Sequence, residues 1–260
     1  MRLGFLGTGH ITAAMVTGLG PSDHRMWLSP RNAEIAADLA RRFSHVAVAA
    51  SNQDVLDQSD VIILALPPKT APGIIAALRF RADHRTISVI SGFPMKAIAA
   101  VVAPATGIAR AVPLPSVAER AGPTAIYPPD PTAAALFDSL GTTIPVESED
   151  HFEAFCTVTA AIASYLAFSD AVASWLNRKG VPDTTAIDYT RAMFRGVING
   201  KASAEQHATP GGINEQLLRH LERAGVFERL REGLDAVCRS VLERRVRDPV
   251  RPRADGDSQE

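Results

Sequence analysis

The sequence predicts an α/β chain in which a doubly wound sheet is followed by an all-helical half. Three observations predict it. The chain opens on an apolar run that breaks at Gly7, Thr8 and Gly9 and resumes at helical spacing. Strand-like and helix-like segments then alternate at short intervals as far as Pro115. Beyond Glu147 to Asp150 strand signals vanish and alanine-rich helical patterns take over. With 260 residues, 46% of them hydrophobic, the chain can bury a core in two medium domains. We set their expected bounds at 1–148 and 149–246, with a tail over 247–260.

Leu3, Phe5 and Leu6 make the first strand, and Ile11, Ala14, Met15 and Leu19 the apolar face of the first helix. Glycine at position 7 permits a sharp turn between them. Glycine at position 9 lets the backbone approach a pyrophosphate, and the helix start at His10 and Ile11 offers unpaired N–H groups to it. Thr12 stands where this Rossmann-type fingerprint has Gly or Ala. A ligand-free turn is the alternative for the glycines alone; their place directly after a strand and before a helix favours the dinucleotide.

His24 to Ser29 reads as the second strand and Arg31 to Phe43 as the second helix. An NAD site places an acid at the end of that strand, whereas this chain has Ser29, Pro30, Arg31 and Asn32, with no acid before Glu34. A hydroxyl, a guanidinium and an amide suit a 2′-phosphate, so NADP is expected over NAD. A solvated first-turn Arg31 is the alternative. Val46 to Ala49 is a short strand and Asn52 to Gln58 a helix; Asp60 to Leu66 is a continuous apolar run, as expected of a strand buried on both faces. Helix at Ala71 to Leu78, strand at Thr86 to Ile90, helix at Met95 to Ala100 and strand at Ile108 to Val112 follow, then a loop at Pro113 to Pro115. Asn52, Ala65, Leu66, Pro67, Pro68, Ser91 and Gly92 fall toward the ligand crevice and join the turn as expected cofactor contacts.

In the helical half, His151 to Lys179 reads as one helix closed by Gly180 to Pro182. Asp183 caps the next, which runs to about Asn199 and Gly200; Ile213 to Arg223 and Val226 to Arg245 complete the set. Pro249 to Glu260 is polar and expected to be disordered. Ala160, Ile162, Ala163, Leu166, Ala167, Ala171 and Val172 crowd one helix on more than one face. Burial against a second subunit is expected, giving a homodimer or higher homo-oligomer; a compact monomeric bundle is the alternative.

A formal net charge of −1 with mixed charges leaves no basic field for nucleic acid or an anionic membrane. The partners expected are a small molecule and copies of the chain. Cys156 and Cys238 sit in apolar helical patterns and read as reduced core thiols, and the scattered histidines suggest no metal. No targeting leader and no run long enough to span a bilayer is expected, which would make the protein cytoplasmic.

Several segments resemble the pyrroline-5-carboxylate reductase family over about residues 1–245. LGFLGTGHITAAMVTGL is similar to its nucleotide-binding opening, DVIILALPPK to its fourth strand, and ISVISGF to the strand ending in Ala-Gly. IARAVPLPS sits at its Met-Pro-Asn-Thr-Pro loop, and HATPGGINEQLLRHLERAGVF resembles its Thr-Ser-Pro-Gly-Gly-Thr-Thr signature and following helix. The resemblance implies a Rossmann domain with a helical dimerisation domain, and hydride transfer from NAD(P)H to the C=N carbon of pyrroline-5-carboxylate, completing proline synthesis. By matching positions Pro113, Tyr165, Thr209, Gly211 and Gly212 would line the substrate pocket. Consecutive glycines before a helix would present amides to a substrate carboxylate. Asn214 falls where the family has the threonine facing the imine, and is the candidate catalytic residue.

The chain departs from the family at Asn214, at Leu114 and Pro115 in place of Asn-Thr, and at Ala161 to Ser164 in place of Gly-Pro-Ala-Tyr; Asp170 keeps an acid where the family has Glu. These point to a divergent member, to another cyclic imine, or to an inactive NADP-binding sensor or scaffold. His207 or Tyr165 could protonate the product amine, the plainer readings being a loop residue and a helix aromatic. Glu215 and Gln216 read as helix-start residues, and a carboxylate at 215 would compete with a substrate anion. A β-hydroxyacid dehydrogenase would need a lysine on the long central helix, which carries only Lys179 at its end. A deazaflavin-dependent NADP reductase would share only the N-terminal half.

Overall fold

The computed structural model describes residues 1–198 and 203–247. The chain divides into two compact units, Met1–Cys156 with the residues from Val241 on, and Thr157–Ser240. The first unit runs β1 (Arg2–Leu6), α1 (His10–Leu19), β2 (Arg25–Leu28), α2 (Ala33–Arg42), β3 (Val46–Val48), α3 (Asn52–Gln58), β4 (Val61–Leu64) and α4 (Ala71–Ala76). It continues with β5 (Arg85–Ser88), α5 (Met95–Val102), β6 (Gly107–Val112), a 3-10 turn at Pro115–Glu119, β7 (Pro123–Tyr127), α6 (Pro131–Asp138), β8 (Thr142–Pro145) and α7 (Glu149–Val158).

The strands form one eight-stranded sheet in the order β3-β2-β1-β4-β5-β6-β7-β8. Two cores explain why it is covered on both faces. Leu3, Phe5, Val61 and Ile63 pack with Met15, Val16, Ala36, Leu39, Leu136 and Phe137, so α1, α2 and α6 lie on one face. Leu6, Ile62 and Leu64 pack with Val55, Leu56, Ile75, Ile98 and Val101, so α3, α4 and α5 lie on the other. Strand order reverses between β1 and β4, which are in register from Leu3 with Val61 to Leu6 with Leu64. In such a sheet the crevice at that reversal is where ligands bind.

The sheet is parallel except at one pairing. β7 runs antiparallel to β6, pairing Arg110 with Tyr127 and Val112 with Ala125. The elements after Pro115 were not anticipated, although Asp130 and Pro131 carry a clear helix start: the Asp130 carboxylate accepts from the Ala133 N–H at 2.8 Å.

In the second unit α8 (Ala161–Arg178) pairs with α9 (Asp183–Ile198), and α10 (Ala204–His207), α11 (Ile213–Arg223) and α12 (Val226–Arg247) follow. α8 closes as its sequence predicts. Gly180, at φ +89°, donates to the Asn177 carbonyl and Val181 to that of Leu176, the double bond of a Schellman end. Phe194 packs between Tyr165 and Phe168, with ring centroids 6.0 and 5.8 Å away. Asp183 stands inside the first turn of α9; the predicted end at Asn199 and Gly200 lies outside the described residues, as does the tail from residue 248.

The single helix expected over 151–179 is broken. At Thr159–Ala160 the bonds from Ala160 to Thr157 and from Ile162 to Thr159 are of the tighter three-residue kind. The β-branched run Thr157, Val158, Thr159 precedes the break. Against the expectation of no membrane-length run, the helical stretch Glu149–Arg178 holds an 18-residue window of mean hydropathy 1.4, apolar enough to cross a membrane by length and composition alone. Its first two turns are fastened to the sheet, as described below. Neither cysteine is in a disulfide and both are half-buried, Cys156 against the small core of Ala125, Val146 and Phe152.

Candidate active site

The nucleotide turn is built by constraints that exclude other residues. Gly7 has φ +101°, and a Cβ on it would lie 2.3 Å from the Ala65 carbonyl oxygen at the end of β4. The β1 loop and the β4 end therefore meet at the switch point through bare backbone. Over Gly9 a Cβ would meet nothing within 4 Å, and no side chain caps α1, so the N–H groups of its first turn are left for a ligand. Open space above an uncapped ten-residue helix at the strand reversal fits a pyrophosphate.

Thr12, the departure from the fingerprint, is fully buried and donates its hydroxyl to the Gly7 carbonyl at 2.6 Å. It locks the turn from below. The close helix packing expected of that position is supplied instead by Gly18, whose added Cβ would lie 2.0 Å from the Val117 carbonyl oxygen.

Ser29 is corrected by its burial. It is 1% exposed, its hydroxyl accepts from the Gly7 N–H at 2.9 Å, and its carbonyl accepts from the Thr8 hydroxyl at 2.7 Å. Ser29 and the Thr8 side chain hold the turn and do not reach outward to a phosphate. The 2′-phosphate argument passes to Arg31 and Asn32, both exposed; Asn32 precedes α2 without capping it, so its amide is uncommitted there. His10 and Ile11 open α1, and Asn52 opens α3 behind Ser51, whose hydroxyl accepts from Asp54 N–H. Ala65 and Leu66 are largely enclosed, Pro67, Pro68 and Ser91 are exposed, and Gly92 takes φ +69°.

Pro113, buried, follows β6, and the next turn is bolted to α1. Arg120 donates from Nε to the Gly18 carbonyl at 2.7 Å, answering the carbonyl end of the helix dipole. Below the same loop lies a network that sequence reasoning missed. Arg110, on β6 and 1% exposed, donates from Nη1 to Glu149 at 2.7 Å and to Glu153 at 2.5 Å on α7, and stacks over Phe152 at 4.5 Å. Glu149 also accepts the Met95 N–H at 2.7 Å, at the start of α5. The signal was one arginine in the apolar IARAV run and two glutamates four apart on a following helix. Burial pushes the Arg110 guanidinium below its ordinary value and the nearby Cys156 thiol up to about 11, so the thiol stays protonated and inert at neutral pH.

In the second unit the Thr209 to Gly212 loop is engaged with itself. Gly212 donates its N–H to the Thr209 carbonyl at 2.8 Å, and Gly211, at φ +74°, donates its own to Glu215 Oε2 at 2.7 Å. Gln216 Nε2 donates to the Gly211 carbonyl at 3.0 Å. Asn214 Nδ2 donates to the His207 carbonyl at 3.0 Å, which leaves its second amide proton and its oxygen outward. Both glycine amides expected to hold a substrate carboxylate are thus taken. Tyr165 is partly exposed on α8, against Phe194. Among the described residues no cluster of three or more His, Cys, Asp or Glu could hold a metal.

The family described as NADP oxidoreductase, coenzyme F420-dependent, matches residues 2–92, the β1–β5 part of the sheet. Pyrroline-5-carboxylate reductase 2 of Rattus norvegicus is 26% identical over 92% of this chain and 82% of its own length. The structure superposes on that of the Streptococcus pyogenes 1-pyrroline-5-carboxylate reductase with a TM-score of 0.81, at 24% identity, over 94% of this chain and 98% of the other. For the Plasmodium falciparum pyrroline carboxylate reductase with NADP bound the TM-score is 0.80 at 15% identity, over 94% and 98%. Along nearly its whole length the chain is similar to pyrroline-5-carboxylate reductases.

Leu114 and Pro115 bring apolar groups to the loop after β6, and the 3-10 turn begins at Pro115. Ala161 to Ser164 form the first turn of α8, directly after the helix break.

Proposed function

We propose that the chain is an NADPH-dependent reductase of the C=N bond of a small cyclic imine. The observation that carries the reading is the nucleotide turn at the β1–β4 switch point, where Gly7 is fixed by backbone contact and the space over Gly9 is open. The imine class is supported by the likeness to pyrroline-5-carboxylate reductases along nearly the whole chain. Pyrroline-5-carboxylate, yielding proline, is the substrate which that likeness implies.

The first-turn amides of α1 from Gly9 to Ile11 would hold the pyrophosphate, and Arg31 with Asn32 would hold the 2′-phosphate. NADPH, when bound, supplies the hydride that goes to the imine carbon. The chain's own part is to place that carbon against the nicotinamide, exclude water, and deliver one proton to the nitrogen, which with the hydride turns the neutral imine into a neutral secondary amine. Asn214, with one free amide proton, is suited to hydrogen-bond the ring nitrogen; His207 and Tyr165 are the titratable groups proposed for the proton.

The helical unit is proposed to dimerise. The test of the cofactor half is equilibrium binding of NADPH and NADH to the wild type and to Arg31→Glu. Charge reversal beside a 2′-phosphate is expected to weaken NADPH by about tenfold or more, roughly 1.4 kcal/mol, while NADH binding is affected far less. Equal effects on both cofactors would remove Arg31 from the site.

A further inference from the structure

Glu215, just after the Thr209 to Gly212 loop, is the residue that the substrate reading did not absorb. It is the third residue of α11, its side chain is 20% exposed, and both oxygens are used: Oε2 accepts the Gly211 N–H at 2.7 Å and Oε1 accepts Arg219 Nη2 at 2.6 Å. A glutamate three residues into a helix commonly reaches back to the amide at the helix start. Here it reaches one residue further, to the first of the two glycines, and Gly212 before α11 has no side-chain cap. The positive end of the helix already holds an anion, and that anion belongs to the chain.

We propose that Glu215 sets the substrate class at this loop, so that the cyclic imine it takes carries no carboxylate there. The proposal rests on the reading of this loop as the place where the imine ring binds. A substrate carboxylate seated on the Gly211 amide would have to displace Glu215 from a charge-assisted hydrogen bond and then face its charge at close range. Arg219 offsets only part of this, because its guanidinium is two-thirds exposed and pairs with Oε1, while Oε2 is the oxygen on the Gly211 amide. A neutral ring carbon meets neither obstacle. Gln216 and Asn214, each donating to a loop carbonyl, keep the loop in the shape that brings Gly211 to Glu215.

The experiment compares 1-pyrroline with pyrroline-5-carboxylate, two five-membered imines differing by the carboxylate, in NADPH oxidation by the full-length wild type and by Glu215→Ala and Glu215→Gln. The wild type is expected to favour 1-pyrroline by at least about tenfold in kcat/KM, and the ratio of the two KM values to fall by about tenfold or more in Glu215→Ala. Glu215→Gln, which keeps an acceptor for Gly211 without the charge, should lie between. A general disturbance of the loop would shift both substrates together and leave the ratio alone. Calorimetric binding of pyrrolidine and of proline to the NADP⁺-saturated protein gives the same comparison without turnover. Tighter binding of pyrrolidine, reversed toward proline in Glu215→Ala, supports the proposal even if no imine is reduced, in which case only the reductase reading fails. Equal or better use of the carboxylated compound by the wild type, or a ratio unmoved by Glu215→Ala, overturns it.

Discussion

Gly7 is fixed by two independent constraints, a left-handed backbone and the Ala65 carbonyl oxygen 2.3 Å from where a Cβ would sit. Gly7→Ala must move backbone at the switch point, and we expect a loss of about 1–3 kcal/mol in chemical denaturation together with loss of NADPH binding. Arg110→Ala would leave Glu149 and Glu153 facing each other without the guanidinium between them; the expected cost is about 3–5 kcal/mol, read from the same titration. Arg110→Lys should recover only part, since one ammonium does not reproduce the stacked planar group over Phe152.

His84 gives the fold a pH dependence. Its ring is buried, Nδ1 accepts from the Arg81 N–H at 3.1 Å and Nε2 lies 3.2 Å from the Leu56 carbonyl, so the neutral ring with its proton on Nε2 satisfies both. Burial, and then the Arg81 charge, push its pKa below the ordinary histidine value. The folded state therefore binds fewer protons than the unfolded one just below that value. Stability is fully present above about pH 6.5 and is lost as the pH falls from there toward the lower folded value. Urea midpoints from pH 8 to 5 should fall in the wild type and fall less in His84→Gln; parallel curves would assign the loss to other groups.

α1 is gripped at its C-terminal end by residues of the loop that follows β6. Gly18→Ala would drive a Cβ to 2.0 Å from the Val117 carbonyl oxygen, so the 3-10 turn must move off the helix. A destabilisation of about 1–3 kcal/mol is expected from such overpacking. Elements β1 to β6 were legible because each is a compact apolar run closed by Gly, Pro or a polar cap. The stretch from Pro115 to Pro145 was not, because its strands are short and rich in proline and threonine, and β7 is placed by pairing with β6 and β8 rather than by its own pattern. The glycine turn between β1 and α1 was legible to the residue, but Ser29 as a buried part of it was not. Its type suits a phosphate equally well inside or outside, and only burial decides. Likewise the two glycines of the Thr209 to Gly212 loop announce free amides, while one is taken by the Thr209 carbonyl and the other by the reach of a side chain four residues on.

The apolar residues left in the open lie overwhelmingly on the helical half: Leu166 at 54%, Trp175 at 52%, Ile198 at 61% and Leu217 at 58% exposure, with Tyr189 and Met193 beside them on α9. A soluble chain does not leave such a surface uncovered. A second copy is the cover we propose, and sedimentation should show a dimer or larger species that Leu166→Glu with Trp175→Glu shifts toward monomer. A wild-type monomer would instead require the compact bundle considered above.

The central claim is hydride transfer from NADPH to a cyclic imine, and initial-rate oxidation of NADPH by the purified protein tests it most directly, with 1-pyrroline and pyrroline-5-carboxylate as acceptors and NADH as the second cofactor. The account predicts imine-dependent oxidation, faster with NADPH. Tight binding of NADPH with no oxidation by either imine would contradict it and leave a dinucleotide-binding protein without this chemistry.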